Sequence, residues 1–487
     1  MDRAEAEAIY DAGREACVGF LMELTSAYET QIAALEERIR RLEEQARRDS
    51  RTSSAPPSQD PPKTRQQRRA EARAKAKELL AKDRANRKAG GQPGHRGAGR
   101  ELAPEDQVDE IVDHFPEACR GCGREFTADE RRATGRFGRH QVCELPPISV
   151  LLVEHRTRRL RCPECRAEAI AELPAGIGGS VFGPRLRAAI VTLTARNRIS
   201  RRGAAELAGE LFGAQLSTGS VDAICQHAST ALAGPYDQLR DWVLDQHALH
   251  VDETGWRTAG DSRALWTAST ADASLFQIAE HCNREQFNEL IGCFSGILVS
   301  DRWAGYEHVD PTRRQVCWSH IQRDFRRHSE GLAEQKTFGE QGLALTRRVF
   351  GAWRAYQQHH NPQQLRAEVA PIQSELRALL EQASPKSRRT RYHRRFANNL
   401  LKVWPALWTF TDHPGVEPTN NPAERALRGP VIHRKLSHGT RSRDGERFAE
   451  RALSAATTCR QQHRSLFEFL TELLTAHPRG DPLPALT

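Results

Sequence analysis

The segment from about residue 245 to 320 constrains the fold most, because there a helical period gives way to strands that end in acids. Ala248–Val251 runs into Asp252-Glu253-Thr254-Gly255, and strand-like pieces follow at Ala264–Thr270 and Leu275–Glu280. A helical stretch around Arg284–Leu290 separates them from Gly296–Ser300, an apolar strand that delivers Asp301 at its end. Carboxylates at strand ends are hard oxygen ligands suited to Mg²⁺. Two such ions, roughly 4 Å apart, can clamp the attacking and leaving oxygens of a phosphoryl displacement. That chemistry calls for a third acid. Taken singly, each aspartate is equally at home as a turn former or a helix cap.

Residues 331–410 read as a charged, all-helical insertion that includes the basic run Lys386–Arg395. Beyond it, Asn421 at N-cap, Pro422 at the first helical position and Glu424 at the third make a good helix start, so local rules give Glu424 a capping role. Its neighbours Arg425, Arg428, Arg434 and Lys435 point the other way, since cations beside an acid suit a metal site that also holds a nucleic-acid backbone. Glu253 falls on the opposite strand face from Asp252 and reads as a supporting group, not a ligand. Three antiparallel-looking strands, a helix and a further strand ending in an acid form an RNase H-like order of elements. The expected fold is therefore multidomain α+β, with an RNase H-like mixed α/β catalytic core in two parts, 241–330 and 411–475, and a tail at 476–487.

The N-terminal half divides by composition. Residues 1–48 read as a helix in which Leu21, Leu24, Tyr28, Ile32, Leu35, Ile39 and Leu42 step by threes and fours, a seam for a coiled-coil dimer or for packing within the chain. Residues 49–100 combine a Ser/Pro linker with a basic arm. Residues 61–100 hold 13 Lys/Arg against 3 acids, a net +10 that leaves −1 for the rest of a +9 chain. Such an arm, with Arg87, Lys88, His95, Arg96 and Arg100 among glycines, suits a polyanion, nucleic acid first, and would equally serve as a solvated linker. From 101 to 178, Cys119-x-x-Cys122 and Cys162-x-x-Cys165 offer four thiolates for one structural Zn²⁺ in a ribbon-like domain. The strand-like run Ile148–His155 would bring the pairs together, and Cys143 reads as a buried thiol. From 179 to 240, a helix ending at Phe212-Gly213 and a second capped by Ser217 outline either a helix-turn-helix or a plain αα-hairpin. In the first case Ser217, Thr218 and Ser220 would meet DNA. No apolar run reaches the roughly 18–20 residues of a membrane span, and the acidic N-terminus has no signal peptide. Eleven cysteines without such a signal point to free thiols and metal ligands in a reducing cytoplasm.

The strings GGQPGHRG (Gly90–Gly97), two C-x-x-C pairs, VDETGWR, VSDRWAGY, CWSHIQRDF and NNPAERALR with IHRK resemble, in that order, the insertion-sequence 66 family of bacterial DDE transposases. The resemblance implies a triad of Asp252, Asp301 and Glu424 holding two Mg²⁺ or Mn²⁺ ions, and strand cleavage and transfer at terminal inverted repeats. It also implies Cys317 and His320 as a structural support; a second zinc on that pair alone lacks further ligands in the sequence. Expected partners are double-stranded DNA, a second copy of the chain and accessory proteins of the same element, in the nucleoid and with no membrane. After IHRK the stretch LSHGTRSRDGERFAERALSAATT departs from the aromatic-rich continuation of many members. The rival readings are a nuclease or resolvase without strand transfer, and a non-catalytic zinc and helix-turn-helix regulator.

Overall fold

The computed structural model describes residues 10–46, 101–130, 138–177, 179–331, 333–387, 390 and 392–487. The linker and basic arm, with Arg87, Lys88, His95, Arg96 and Arg100, lie outside the described residues. Helix α1 (Arg14–Ala46) contains no proline, and its seam residues Leu21, Tyr28, Ile32, Leu35 and Ile39 are all exposed. Residues 101–130 and 138–149 belong to a small unit of their own. In it the amide of Gln141 brackets Ala103, accepting from its N–H at 2.8 Å and donating to its carbonyl at 2.9 Å.

Strands β1 (Arg159–Arg161) and β2 (Glu168–Ile170) pair antiparallel. The expected strand over Ile148–His155 does not form: the run pairs with no other strand among the described residues, and Leu151 and Leu152 are exposed. Apolar β-branched sequence is not sufficient for a strand without a neighbour to accept its hydrogen bonds. Four helices follow: α2 (Pro184–Ala195), α3 (Arg201–Phe212), α4 (Thr218–Ala231) and α5 (Ala233–Leu244). The helix expected to run unbroken to Phe212 is divided at 196–200. There Arg198 takes a left-handed φ of 63°, and the Ser200 hydroxyl caps α3 by accepting from Gly203 N–H at 3.0 Å.

Strands β3 (Ala248–Thr258), β4 (Asp261–Ser269) and β5 (Ser274–Ala279) form an antiparallel meander, followed by α6 (Arg284–Ile291), β6 (Ile297–Ser300) and β7 (Arg314–Val316). The sheet order is β5-β4-β3-β6-β7, with β6 parallel to β3 and β7 parallel to β6. One sheet face, carrying Leu249, Val251 and Trp266, shares a core with α2–α6 and the C-terminal helices. The other carries Ile297, Val299 and Val316. It packs under α7 (Trp318–Ser329) and under α8 (Ala333–His359), α9 (Pro362–Ala383) and α10 (Arg394–Lys402), the last three within the segment expected as an insertion. Helices α7 and α8 approach backbone to backbone through Gly339, where a Cβ would lie 2.1 Å from the Ser329 nitrogen.

Helices α11 (Asn421–Ser437), α12 (Arg443–Gln461) and α13 (Leu466–Ala476) complete the chain. The segment that departs from the family pattern builds α12, and α12 seals a sheet edge. Glu450, Ser454 and Thr458 accept hydrogen bonds from Ile278, Phe276 and Ser274 N–H at 2.7, 2.9 and 3.1 Å. The match is geometric: four helical residues rise about 6.0 Å, and two strand residues advance about 6.6 Å. An edge strand is thereby closed to pairing with other chains. Thr458→Val keeps the shape but leaves Ser274 N–H unpaired, and should cost about 1–3 kcal/mol. Urea unfolding followed by tryptophan fluorescence checks this; an unchanged midpoint would mean that the helix does not hold the edge.

Candidate active site

Three distant segments meet beside β3. The register pairs His250 with Val299, and carried two residues further along both strands it sets Asp252 beside Asp301. Both fall on the face of Trp256 and Val299, which α11 and α7 cover. The third segment is laced in by Asn420, which is completely buried. Its amide donates to Val251 O at 2.8 Å, and its backbone N–H donates to the Cys317 sulfur at 3.2 Å. Trp318 N–H donates to Pro418 O at 2.8 Å, and Cys317 N–H to Ser300 O at 2.9 Å. One turn into α11 stands Glu424.

The acids are held by hydrogen bonds that leave carboxylate oxygens open. Asp252 Oδ1 accepts from Glu253 N–H at 2.9 Å, and Asp301 Oδ1 accepts from Trp303 N–H at 2.8 Å. The loop carrying Asp301 is fixed by buried Arg314, which donates to Asp301 O, Ser300 Oγ and Tyr306 O at 2.6, 3.1 and 3.1 Å. Glu253 lies across the strand and accepts from the Tyr306 hydroxyl at 2.7 Å. Among the described residues no lysine or arginine forms an ion pair with Asp252 or Asp301. Burial pushes Asp252 up to about 8, helped by repulsion from Glu253, Asp301 and Glu424. Burial likewise raises Glu253 to about 7.

Glu424 does not cap its helix. The N-cap residue is Asn420, one position earlier than the sequence pattern predicts, and no side chain caps there. The Asn420 amide is engaged by Val251, which draws the helix start back by one residue. Glu424 Oε1 is left without a hydrogen-bond partner and faces His320 Nδ1 at 3.7 Å. Ligand atoms of Cys317, His320 and Glu424 lie within 4.8 Å of one another.

The basic residues expected at DNA separate by exposure. Arg425, Arg428 and Lys435 are exposed on α11, whereas Arg434 is half-buried and donates to Thr254 Oγ1 at 3.3 Å and to Gly255 O. Arg434 and Lys435 line an open hollow of about 570 Å³ with Trp256, Arg257, Ser262 and His438. Ser217 caps α4, accepting from Ser220 N–H at 3.0 Å, and Thr218 beside it is exposed.

Each C-x-x-C pair forms a knuckle. Cys119 N–H donates to Arg124 O and Cys162 N–H to Ala167 O, both at 2.8 Å. The next residue after each pair, Gly123 or Arg166, takes a left-handed φ, 74° or 61°. Backbone N–H groups of Cys122 and Gly121 hold the Cys119 thiol below its ordinary value, and those of Cys165 and Glu164 do the same for Cys162. Cys143, read as buried, is exposed. Asn420, Arg314 and Tyr306 were not singled out by sequence, where nothing distinguishes a buried staple from a cap, a surface cation or a core aromatic.

A family model described as the Transposase IS66 family matches residues 179–447. A second, described as a family of unknown function, matches residues 2–101. The uncharacterized protein y4hP of Sinorhizobium fredii is 22% identical over 365 residues, covering 66% of this chain and 64% of that protein, so the chain spans less than two thirds of this relative's length.

The acid cluster has a measurable cost. Asp252 titrates near 8 when folded against 3.8 ordinarily, so the metal-free fold keeps a proton that the unfolded chain releases. The stability it contributes is full below about pH 4 and is lost as pH rises through about 8. Asp252→Asn should therefore raise the Tm of the metal-free protein more at pH 8 than at pH 5. Equal shifts at both pH values would contradict the assignment.

Proposed function

The chain belongs to the IS66 family of transposases, and on that premise we propose that it binds the terminal inverted repeats of an insertion sequence, cuts a strand at the element end and joins the freed 3′-OH to target DNA by a DDE mechanism. The observation that supports this reading is the approach of Asp252, Asp301 and Glu424, from three separate segments, at one face of a mixed sheet of order β5-β4-β3-β6-β7, an order that suits an RNase H-like core. The acids fit two Mg²⁺ or Mn²⁺ ions: Asp252 and Asp301 are each held by a backbone N–H, Asp252 is repelled by Asp301 and Glu424, and neither aspartate has an ion-pair partner among the described residues. Asp252, Asp301 and Glu424 would hold the ions, which would supply activation of the attacking oxygen and neutralisation of the leaving one. Arg314 holds the backbone that presents Asp301, and the Tyr306 hydroxyl holds the Glu253 carboxylate.

The remaining parts take supporting roles. The two knuckles, Cys119 with Cys122 and Cys162 with Cys165, each offer a pair of thiolates suited to Zn²⁺, helped by the N–H groups aimed at Cys119 and Cys162. The pair α3–α4 reads the element end as a helix-turn-helix through Ser217, Thr218 and Ser220. Arg425, Arg428, Arg434 and Lys435 grip the DNA backbone near the acids, and the basic arm adds affinity independent of sequence. The open seam of α1 pairs protomers, since two ends must be joined together. Double-stranded DNA, a second copy of the chain and accessory proteins of the element are the partners, in the cytoplasmic nucleoid.

The test is a labelled element-end duplex with target DNA and Mg²⁺. The natural protein should cut and join, and Asp252→Asn should lower cleavage by about a hundredfold or more while keeping DNA affinity. Cleavage unchanged in the variant would overturn the triad. Cutting without joining would indicate a nuclease or resolvase, and binding without cutting a regulator.

A further inference from the structure

The side chains of Cys317 and His320 have no part in the chemistry proposed above, yet they sit against one of its acids. Cys317 is fully buried at the N-cap of α7, where helix N–H groups favour negative charge. The Asn420 N–H already points at its sulfur from 3.2 Å. His320 stands in the first turn of the same helix, its Nδ1 buried and without a hydrogen-bond partner. Glu424 Oε1, equally unpartnered, faces that nitrogen at 3.7 Å, and the three sets of ligand atoms lie within 4.8 Å of one another. Two polar atoms without hydrogen bonds and a buried sulfur within reach of both leave room for a shared cation.

We propose that Cys317, His320 and Glu424 form a second divalent-metal site, selective for zinc-class ions over Mg²⁺, and that an ion bound there withdraws Glu424 from the DNA-cutting site. Sulfur and imidazole suit Zn²⁺ and Co²⁺, whereas Mg²⁺ demands oxygen ligands. Three protein ligands leave a fourth position open to water or a phosphate oxygen, the pattern of zinc sites that exchange a ligand. His320 and Glu424 keep 25% and 29% of their side-chain surface exposed, which gives the ion an entry path. On binding, the Cys317 thiol passes its proton to solvent; no oxidation state changes. Because Glu424 serves both sites, the two occupancies compete, and zinc becomes an inhibitor of Mg²⁺-dependent cutting. The competition rests on the reading of Glu424 as the third acid; the site itself does not.

The experiment uses the full chain, with Co²⁺ as a probe and Zn²⁺ as an inhibitor. Sulfur-to-cobalt charge-transfer absorption is compared among the natural protein, Cys317→Ser and His320→Gln. Absorption from the cysteine knuckles is common to all three and cancels in the differences. A cobalt band that is reduced in Cys317→Ser, with Co²⁺ binding at this site about tenfold or more weaker in His320→Gln, is expected. Zn²⁺ inhibition, each protein measured against its own Mg²⁺ rate, should then need about tenfold or more Zn²⁺ in both variants. Identical spectra in the three proteins would overturn the site and leave the triad untouched. Altered spectra with unchanged Zn²⁺ sensitivity would overturn the competition. Should no protein cut DNA at all, the triad reading falls while the spectra still decide the metal site.

Discussion

The architecture around the acids depends on one buried amide. Asn420 ties β3 to the start of α11 through Val251 O, and to the start of α7 through the Cys317 sulfur. Its neighbours add a backbone bond from Trp318 to Pro418. The long helical segment between α7 and α11 covers one face of the sheet and returns to the acids at that staple. Breaking the staple would strand a buried carbonyl and loosen both helix starts, each unpaired group costing about 1–3 kcal/mol.

The staple brings acids together at an energetic cost. Asp252 is pushed up to about 8 and Glu253 to about 7 chiefly by burial. Arg314, buried beside the Asp301 loop, spends its donors on backbone oxygens and one serine and not on a carboxylate. The scaffold thus fixes where the acids stand without neutralising them, the arrangement expected of a site completed by a dication. The α12 helix shows the same economy of parts on the sheet's far edge, where three polar side chains replace a neighbouring strand.

Much of this was legible in the sequence, and for identifiable reasons. The meander and the strand delivering Asp301 announced themselves by period, and the parallel register that sets Asp301 beside Asp252 follows from that order. Glu424 was legible only through its surrounding motif, because Asn-Pro-x-Glu is equally a helix start. The true start lies at Asn420, displaced by a tertiary bond that no local rule contains. The break at 196–200 was hidden because Arg198 adopts a conformation that sequence gives little reason to expect. The run Ile148–His155 misled in the opposite direction, with strand composition but no partner. Arg314 acts mainly through backbone contacts and Tyr306 through a tertiary bond to Glu253, neither of which leaves a signature in residue type.

The central claim is that Asp252, Asp301 and Glu424 bind divalent ions as one group. Mn²⁺ titration followed by electron paramagnetic resonance, on the full chain with an element-end duplex bound, tests it most directly. The account predicts that Asp252→Asn, Asp301→Asn and Glu424→Gln each weaken Mn²⁺ binding by about tenfold or more. Mn²⁺ affinity lowered by both aspartate changes but unaffected by Glu424→Gln would contradict it and place the third acid elsewhere.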